Sequence, residues 1–248
     1  MSVRIQTQAL AIAGREVAAY AKQALLLRHD ADAPVIPREA RDGDDVVVLL
    51  HGLFATAGVL RPLRAAIGRV GRRARIHTGA VSYPSTSGVG VAAERLAEAL
   101  CELPAGARLH LCGHSLGGLV CRLYALESGD RRVVQTMSLA TPFGGVPGAR
   151  LLGFACARDL EPQSAVLRRV LLGECRVPHL SIIAGADGLV RSPIAHALPG
   201  GDVKVMEGLG HSALLFDHEV AGIIAQRVLR VSADVRGRCA EEQAAAAE

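Results

Sequence analysis

Continuous apolar runs alternate along this chain with segments in which apolar residues recur every three or four positions. Val46-Val47-Val48-Leu49-Leu50 is the clearest run, and it predicts a strand buried on both faces of a parallel sheet. Arg75 to Tyr83, Arg108 to Cys112, Val133 to Ala140, His179 to Ala184 and the short Asp202 to Met206 predict further strands. Between them, Arg61 to Val70, Val89 to Leu103, Leu119 to Glu127 and Ser212 to Val231 carry helical spacing. This alternation predicts the α/β class: a mostly parallel central sheet with helices on both faces and right-handed crossovers.

The flanks differ. Val3 to Leu27 reads as one amphipathic helix, with Ile5, Ala9, Ile12, Tyr20 and Leu27 near helical spacing and Glu16 as a charged exception on that stripe. The plain reading packs this helix on the domain surface. Sharper readings lay its apolar face on a membrane, as a peripheral contact, or over a functional site. His29 to Asp45 is a polar connection containing Pro34 and Pro37. The expected organisation is an N-terminal helix and connection over 1–44, a domain over 45–231 and an Ala/Glu-ending tail over 232–248, frayed or disordered. Within the domain, 145–178 holds helical pieces without an obvious strand.

Composition narrows the classes. The 248 residues are half hydrophobic, enough for one large domain with a substantial core. Lys and Arg (28) barely exceed Asp and Glu (24), and no basic stripe is interleaved with aromatics, so a nucleic-acid partner is not expected. Arg72-Arg73 and Arg131-Arg132 read as solvated surface. Cys101, Cys112, Cys121, Cys156, Cys175 and Cys239 show neither C-x-x-C spacing nor a Cys/His cluster; free thiols are expected, and no metal or cofactor. The apolar stretch Ala9 to Ala13 is too interrupted for a secretory leader, and no run of about 18 apolar residues exists, so a cytoplasmic location is the expectation.

The chemistry concentrates at one place. Gly113-His114-Ser115-Leu116-Gly117 fits G-x-S-x-G between a predicted buried strand and a predicted helix, the context of a nucleophile elbow. A serine at the tip of so tight a turn has a strained backbone, and its neighbours must be small. Gly118 would let the following helix lie close to the sheet. Serine catalysis needs a base and an acid that orients the base. Of nine histidines, His211 is best placed, in a glycine-rich loop between the last strand and the closing helix. His114 neighbours Ser115, but adjacent residues at such a turn point apart. Asp187 follows the strand that ends at Ala184, and the order Ser, Asp, His is one in which such triads occur. Asp159 and Glu161 are alternative acids, and an ordinary turn aspartate is the plain reading of Asp187. Backbone N–H donors for an oxyanion are expected from Leu116 and from Leu53, with Phe54 as second choice.

These residues resemble bacterial lipases and esterases of the α/β-hydrolase superfamily. The matching segments are His51-Gly52-Leu53-Phe54, the elbow through Gly118, Leu139-Ala140-Thr141-Pro142, Gly185-Ala186-Asp187 and Gly210-His211, within about Asp45 to Leu229. Lipases usually continue the Thr141-Pro142 segment with a basic residue or histidine, then glycine and serine; here Phe143-Gly144-Gly145 follows. The resemblance implies a serine hydrolase of carboxylic esters acting on a small-molecule or lipid ester, with Ser115, His211 and Asp187 as its triad. It also implies that the 145–178 insertion is a small helical cap, with Leu151, Leu152, Phe154, Leu167, Val170, Leu171 and Leu172 as its apolar underside. Phe54, Phe143, Phe154 and Leu167 are the candidate substrate-binding side chains. The same elbow would serve an acyltransferase or a phospholipase-like deacylase, and the same fold could carry a non-catalytic scaffold. No acidic pair near His211 specifies the calcium site of some related lipases.

Overall fold

The structure is a computed structural model that describes residues 2–190 and 192–245. Each predicted apolar run forms a strand: β1 Asp45–Leu50, β2 Ile76–Val81, β3 Arg108–His114, β4 Val133–Leu139, β5 His179–Ala184 and β6 Asp202–Met206. They form one sheet in the order β2-β1-β3-β4-β5-β6, with every pairing parallel. The helices are α1 Ser2–Leu26, α2 Arg61–Gly71, α3 Val89–Leu100, α4 Leu116–Glu127, α5 Ala155–Asp159, α6 Ala165–Leu172 and α7 His218–Ala245.

β1 is buried at every position, and beyond Asp45 it is an unbroken apolar run. Its side chains alternate between two cores. Val46, Val48 and Leu50 join Leu96 and Leu100 of α3 and Leu119 of α4. Val47 and Leu49 join Leu63 and Ile67 of α2 and Ile224 and Val228 of α7. The chain leaves β1 towards β2 and returns to lay β3 on the other side, so the strand order reverses between β1 and β3. The carboxyl ends of the strands at such a reversal form an open crevice. Both the His51-Gly52 segment and the Ser115 turn emerge there. The free edge of β2 is blunted by Val35, which exchanges both backbone hydrogen bonds with Ala80 (2.8 and 2.9 Å).

Two expectations need correction. The closing segment is not one helix from Ser212 followed by a disordered tail. A 3-10 turn at Ala213–Phe216 comes first, and α7 then runs past Val231 to Ala245. The cause lies at the foot of β1. Asp45 is nearly fully buried and takes hydrogen bonds from Arg108 Nε (2.7 Å), His110 Nε2 (3.1 Å) and the Ser232 hydroxyl. Burial opposes its ionisation, but these donors outweigh it and hold its pKa far below the usual carboxylate range. α7 must continue beyond Val231 to deliver Ser232, and its Ala- and Glu-rich end favours helix. Residues 246–248 of the expected tail lie outside the described residues.

The 145–178 insertion is only in part a cap. Val146 to Leu160 reaches the crevice, whereas α6 packs on α4 with Leu167 and Val170 buried in the core. Leu151 and Leu172, expected underneath, are 85% and 80% exposed. Cys101, Cys112, Cys121, Cys156 and Cys175 are free thiols; the side chain of Cys239 lies outside the described part. Among the described residues no helix is long and apolar enough to cross a membrane.

The core also buries histidines as neutral rings. Burial pushes His51 down to about 4, and His114 and His179 to about 3. In the unfolded chain these rings take up protons near pH ~6.5, but in the fold they do not until far lower. Between those values the unfolded state binds more protons, so stability falls as pH falls, by up to about 1.4 kcal/mol per ring per pH unit. The melting temperature should therefore be flat above pH ~7 and decline steadily from about 6.5 to 4.5. His179→Gln, which cannot protonate, should flatten that slope; an unchanged slope would refute the account.

Candidate active site

Ser115 closes β3 and opens α4 with φ 52° and ψ −119°, a conformation L-residues rarely adopt. Hydrogen bonds hold it there: Ser115 N–H donates to the Leu139 carbonyl (2.8 Å), and Thr141 Oγ1 donates to the Ser115 carbonyl (2.8 Å). The glycines around it are required by close approach. A Cβ on Gly117 would lie 2.5 Å from the Leu50 carbonyl oxygen, and one on Gly118 would collide with Thr141. Gly52 passes so close that its Cβ would sit 3.1 Å from Ser115 Cβ. That contact accounts for the glycine in the His51-Gly52 pair.

Asp187 and His211 meet. Asp187 Oδ2 accepts from His211 Nδ1 at 2.7 Å, and Oδ1 accepts from the Leu189 and Val190 amides at 2.8 and 2.9 Å. Burial opposes the charge on Asp187, but the His211 hydrogen bond and these amides prevail and keep its pKa below the usual carboxylate value. An ionised carboxylate only accepts, so the neutral His211 ring carries its proton on Nδ1 and leaves Nε2 basic. No hydrogen bond joins Ser115 Oγ to His211, yet both line one cleft of about 550 Å³. Such bonds are often long before substrate binds. The alternative acids are engaged elsewhere: Asp159 accepts from the Val89 amide at the start of α3 (2.8 Å), and Glu161 accepts from the Arg150 amide (2.9 Å).

The candidate backbone donors differ in what they already bind. Leu116 N–H is the first of α4 and has no helical partner. Phe54, with φ +56°, gives its N–H to Ser85 Oγ (2.9 Å), whereas Leu53 N–H is unbonded among the described residues. His51 does not face the cleft; it is fully buried, stacks on Tyr83 at 4.2 Å and braces this loop.

The cleft wall is mostly apolar: Tyr20 and Ala24 of α1, Leu27 just after it, Leu53 and Phe54, Val146, Ala149, Leu152 and Leu160 of the insertion, and Leu189 and Val190. Of the expected substrate-binding side chains only Phe54 lines it. Phe143 is fully buried and meets His179 edge-on at 5.3 Å, so it is a core residue. Leu167 is fully buried beneath α6, on the face opposite the solvent. Phe154 touches Phe54 edge-on at 5.4 Å and supports the wall indirectly.

Sequence reasoning missed two groups. His114 Nε2 donates to the His211 carbonyl (3.0 Å); its ring is buried and neutral, consistent with a fixed Nε2–H tautomer. Glu16 of α1 accepts from the Ser212 and Ala213 amides at 2.8 and 3.0 Å. Its signal was visible as the one charge on an apolar stripe, but its partners lie almost 200 positions away. Among the described residues no group of three or more His, Cys, Asp or Glu is arranged to hold a metal ion.

Comparisons with known proteins bear on the family and the fold. A family profile described as "Putative serine esterase (DUF676)" matches residues 40–168. Among solved structures, the chain is similar to a metagenomic carboxyl esterase (TM-score 0.63, 17% identity, covering 87% of this chain and 91% of that one). It is also similar to Est1E from Butyrivibrio proteoclasticus (0.60, 14%, 81% and 93%). A third is the hyperthermophilic esterase of the archaeon Pyrobaculum calidifontis (0.58, 16%, 95% and 99%). At these identities the likeness shows the fold, that of the α/β-hydrolases. No curated protein matches the sequence.

The glycine contacts give a paired test by thermal melting. Gly117→Ala should destabilise by about 3 kcal/mol or more, because its Cβ meets backbone that cannot yield. Gly90→Ala on α3, where nothing lies within 4 Å, should stabilise by about 1 kcal/mol.

Proposed function

The chain belongs to the DUF676 serine esterase family, and from that premise we propose that it hydrolyses carboxylic esters through an acyl-enzyme on Ser115. The observation that carries the proposal is the 2.7 Å Asp187–His211 hydrogen bond, made at the rim of the cleft that Ser115 lines. His211 Nε2 takes the Ser115 proton as Oγ adds to the ester carbonyl carbon. Asp187 keeps the ring in the required tautomer and stabilises its positive charge. The negative charge on the former carbonyl oxygen is met by the Leu53 and Leu116 N–H groups. Collapse of this intermediate breaks the C–O bond to the alcohol, which leaves with the proton from His211. Water then attacks the acyl-enzyme, gives its proton to His211 and releases the acid as Ser115 recovers its proton.

The apolar walls favour an ester with an acyl chain over a charged or sugar-like substrate. Leu152, half-exposed at the cleft, supports that reading. Leu152→Ala should lower kcat/KM for long-chain p-nitrophenyl esters several-fold more than for the acetate, because lost apolar contact is worth about 1–3 kcal/mol. An unchanged chain-length profile would contradict the acyl-pocket assignment.

The test of the mechanism is labelling by a fluorophosphonate with ester hydrolysis measured in parallel. Wild type should label and turn over. Ser115→Ala should do neither, with kcat down by about a millionfold in other serine hydrolases. Asp187→Asn should reduce kcat by about two to four powers of ten. Asp159→Asn and Glu161→Gln should cost under about tenfold, since neither touches His211. A wild-type protein that never labels would instead be a scaffold on this fold. Acyl transfer to an added alcohol in preference to water would make it an acyltransferase.

A further inference from the structure

We infer that Glu16 of the N-terminal helix is a positioning residue for His211, so that α1 is part of the apparatus of the site although it lies outside the family-matched region. The inference rests on the proposed role of His211 as general base.

His211 stands in a loop, and a base on a loop must be held from several sides. Three contacts do this. Asp187 takes the ring Nδ1, and His114 Nε2 donates to the His211 carbonyl. Glu16 then takes the next two amides, Oε1 from Ser212 and Oε2 from Ala213. These amides open the Ala213–Phe216 turn, and the first N–H groups of a helical turn lack partners within it. Ser212 has no capping bond of its own. Glu16 therefore caps this turn from a different helix, with two charge-assisted hydrogen bonds. Gly210 fits the same arrangement: any side chain there would strike the Glu16 carboxylate. His211 is thus fixed through its ring, its own carbonyl and the two peptide units that follow.

Without Glu16 these amides would turn to water, and the loop could shift by a fraction of an ångström while the fold persisted. Proton transfer from Ser115 is sensitive to that scale; a misplacement of about 1 Å can cost about 100-fold. A residue that merely held α1 on the domain would act on melting temperature and folded fraction alone.

The experiment compares wild type, Glu16→Gln and Glu16→Ala, with Leu10→Ser, at a 74% exposed site of the same helix, as control. Glutamine retains one acceptor oxygen and alanine none. At a temperature where all four are folded, kcat for a p-nitrophenyl ester should fall about tenfold in Glu16→Gln and about 100-fold in Glu16→Ala. KM should stay within about twofold and the control should match wild type. Equal kcat in wild type and both Glu16 variants would overturn the inference, as would a loss of kcat that merely tracks the folded fraction. A second readout is independent of turnover: the low-field Nδ1–H proton resonance of His211, identified by its loss in Asp187→Asn. It should broaden or move in both Glu16 variants, and an unperturbed resonance overturns the positioning role. If wild type fails to label with a fluorophosphonate, the esterase reading falls, while this resonance still decides whether Glu16 orders His211.

Discussion

The backbone of Ser115 is the constraint on which the site depends. A non-glycine residue at φ 52° and ψ −119° costs on the order of 1–3 kcal/mol, and it survives only where its surroundings leave it no alternative. The surroundings are specific. Leu139 and Thr141, at the end of the neighbouring strand, take both backbone groups of the serine. Gly117 and Gly118 give up side-chain volume so that β1 and Thr141 can press against the first turn of α4. Gly52 lets the loop after β1 pass close to the serine from the far side of the strand-order reversal. The parallel sheet is thus the frame that holds one strained residue between two neighbouring strand ends.

Most of this was legible in the sequence, for physical reasons. A strand buried on both faces has little room for polar side chains, so beyond Asp45 β1 declares itself as five consecutive aliphatic residues. A strained turn needs glycines at fixed offsets, so the elbow does too. The alternatives for the acid could not be separated from spacing alone, because Asp159, Glu161 and Asp187 all follow Ser115 and precede His211. In the fold, two of them hold backbone amides elsewhere. Phe143 and Leu167 were misplaced for a related reason: apolar character marks a residue for burial without saying whether substrate or protein will cover it. The end of α7 was misread because an Ala/Glu run looks the same solvated or anchored. Its anchor, Ser232 on Asp45, joins positions 187 residues apart.

The polar interior divides into two electrostatic regimes. His51, His114 and His179 are buried without a countercharge and remain neutral donors and acceptors. Asp45 and Asp187 are buried with enough donors to remain ionised. His114 next to His211 shows what this accomplishes at short range. The rings stand 4.9 Å apart, yet the first stays uncharged, so it would not oppose the positive charge that the proposed proton transfer places on the second.

The contact between Glu16 and Ser212 also sets an order of events in the life of the chain. It spans 196 positions, and closing so long a loop is entropically expensive. During synthesis Glu16 emerges long before its partners, and its carboxylate has nothing to grip until residues 212 and 213 have been added behind the last strand. A nascent chain can therefore present the serine turn on a nearly complete sheet while the loop that carries the histidine is still unmade. The Glu16 contact therefore forms late, when one stretch of the chain meets another made 196 positions after it.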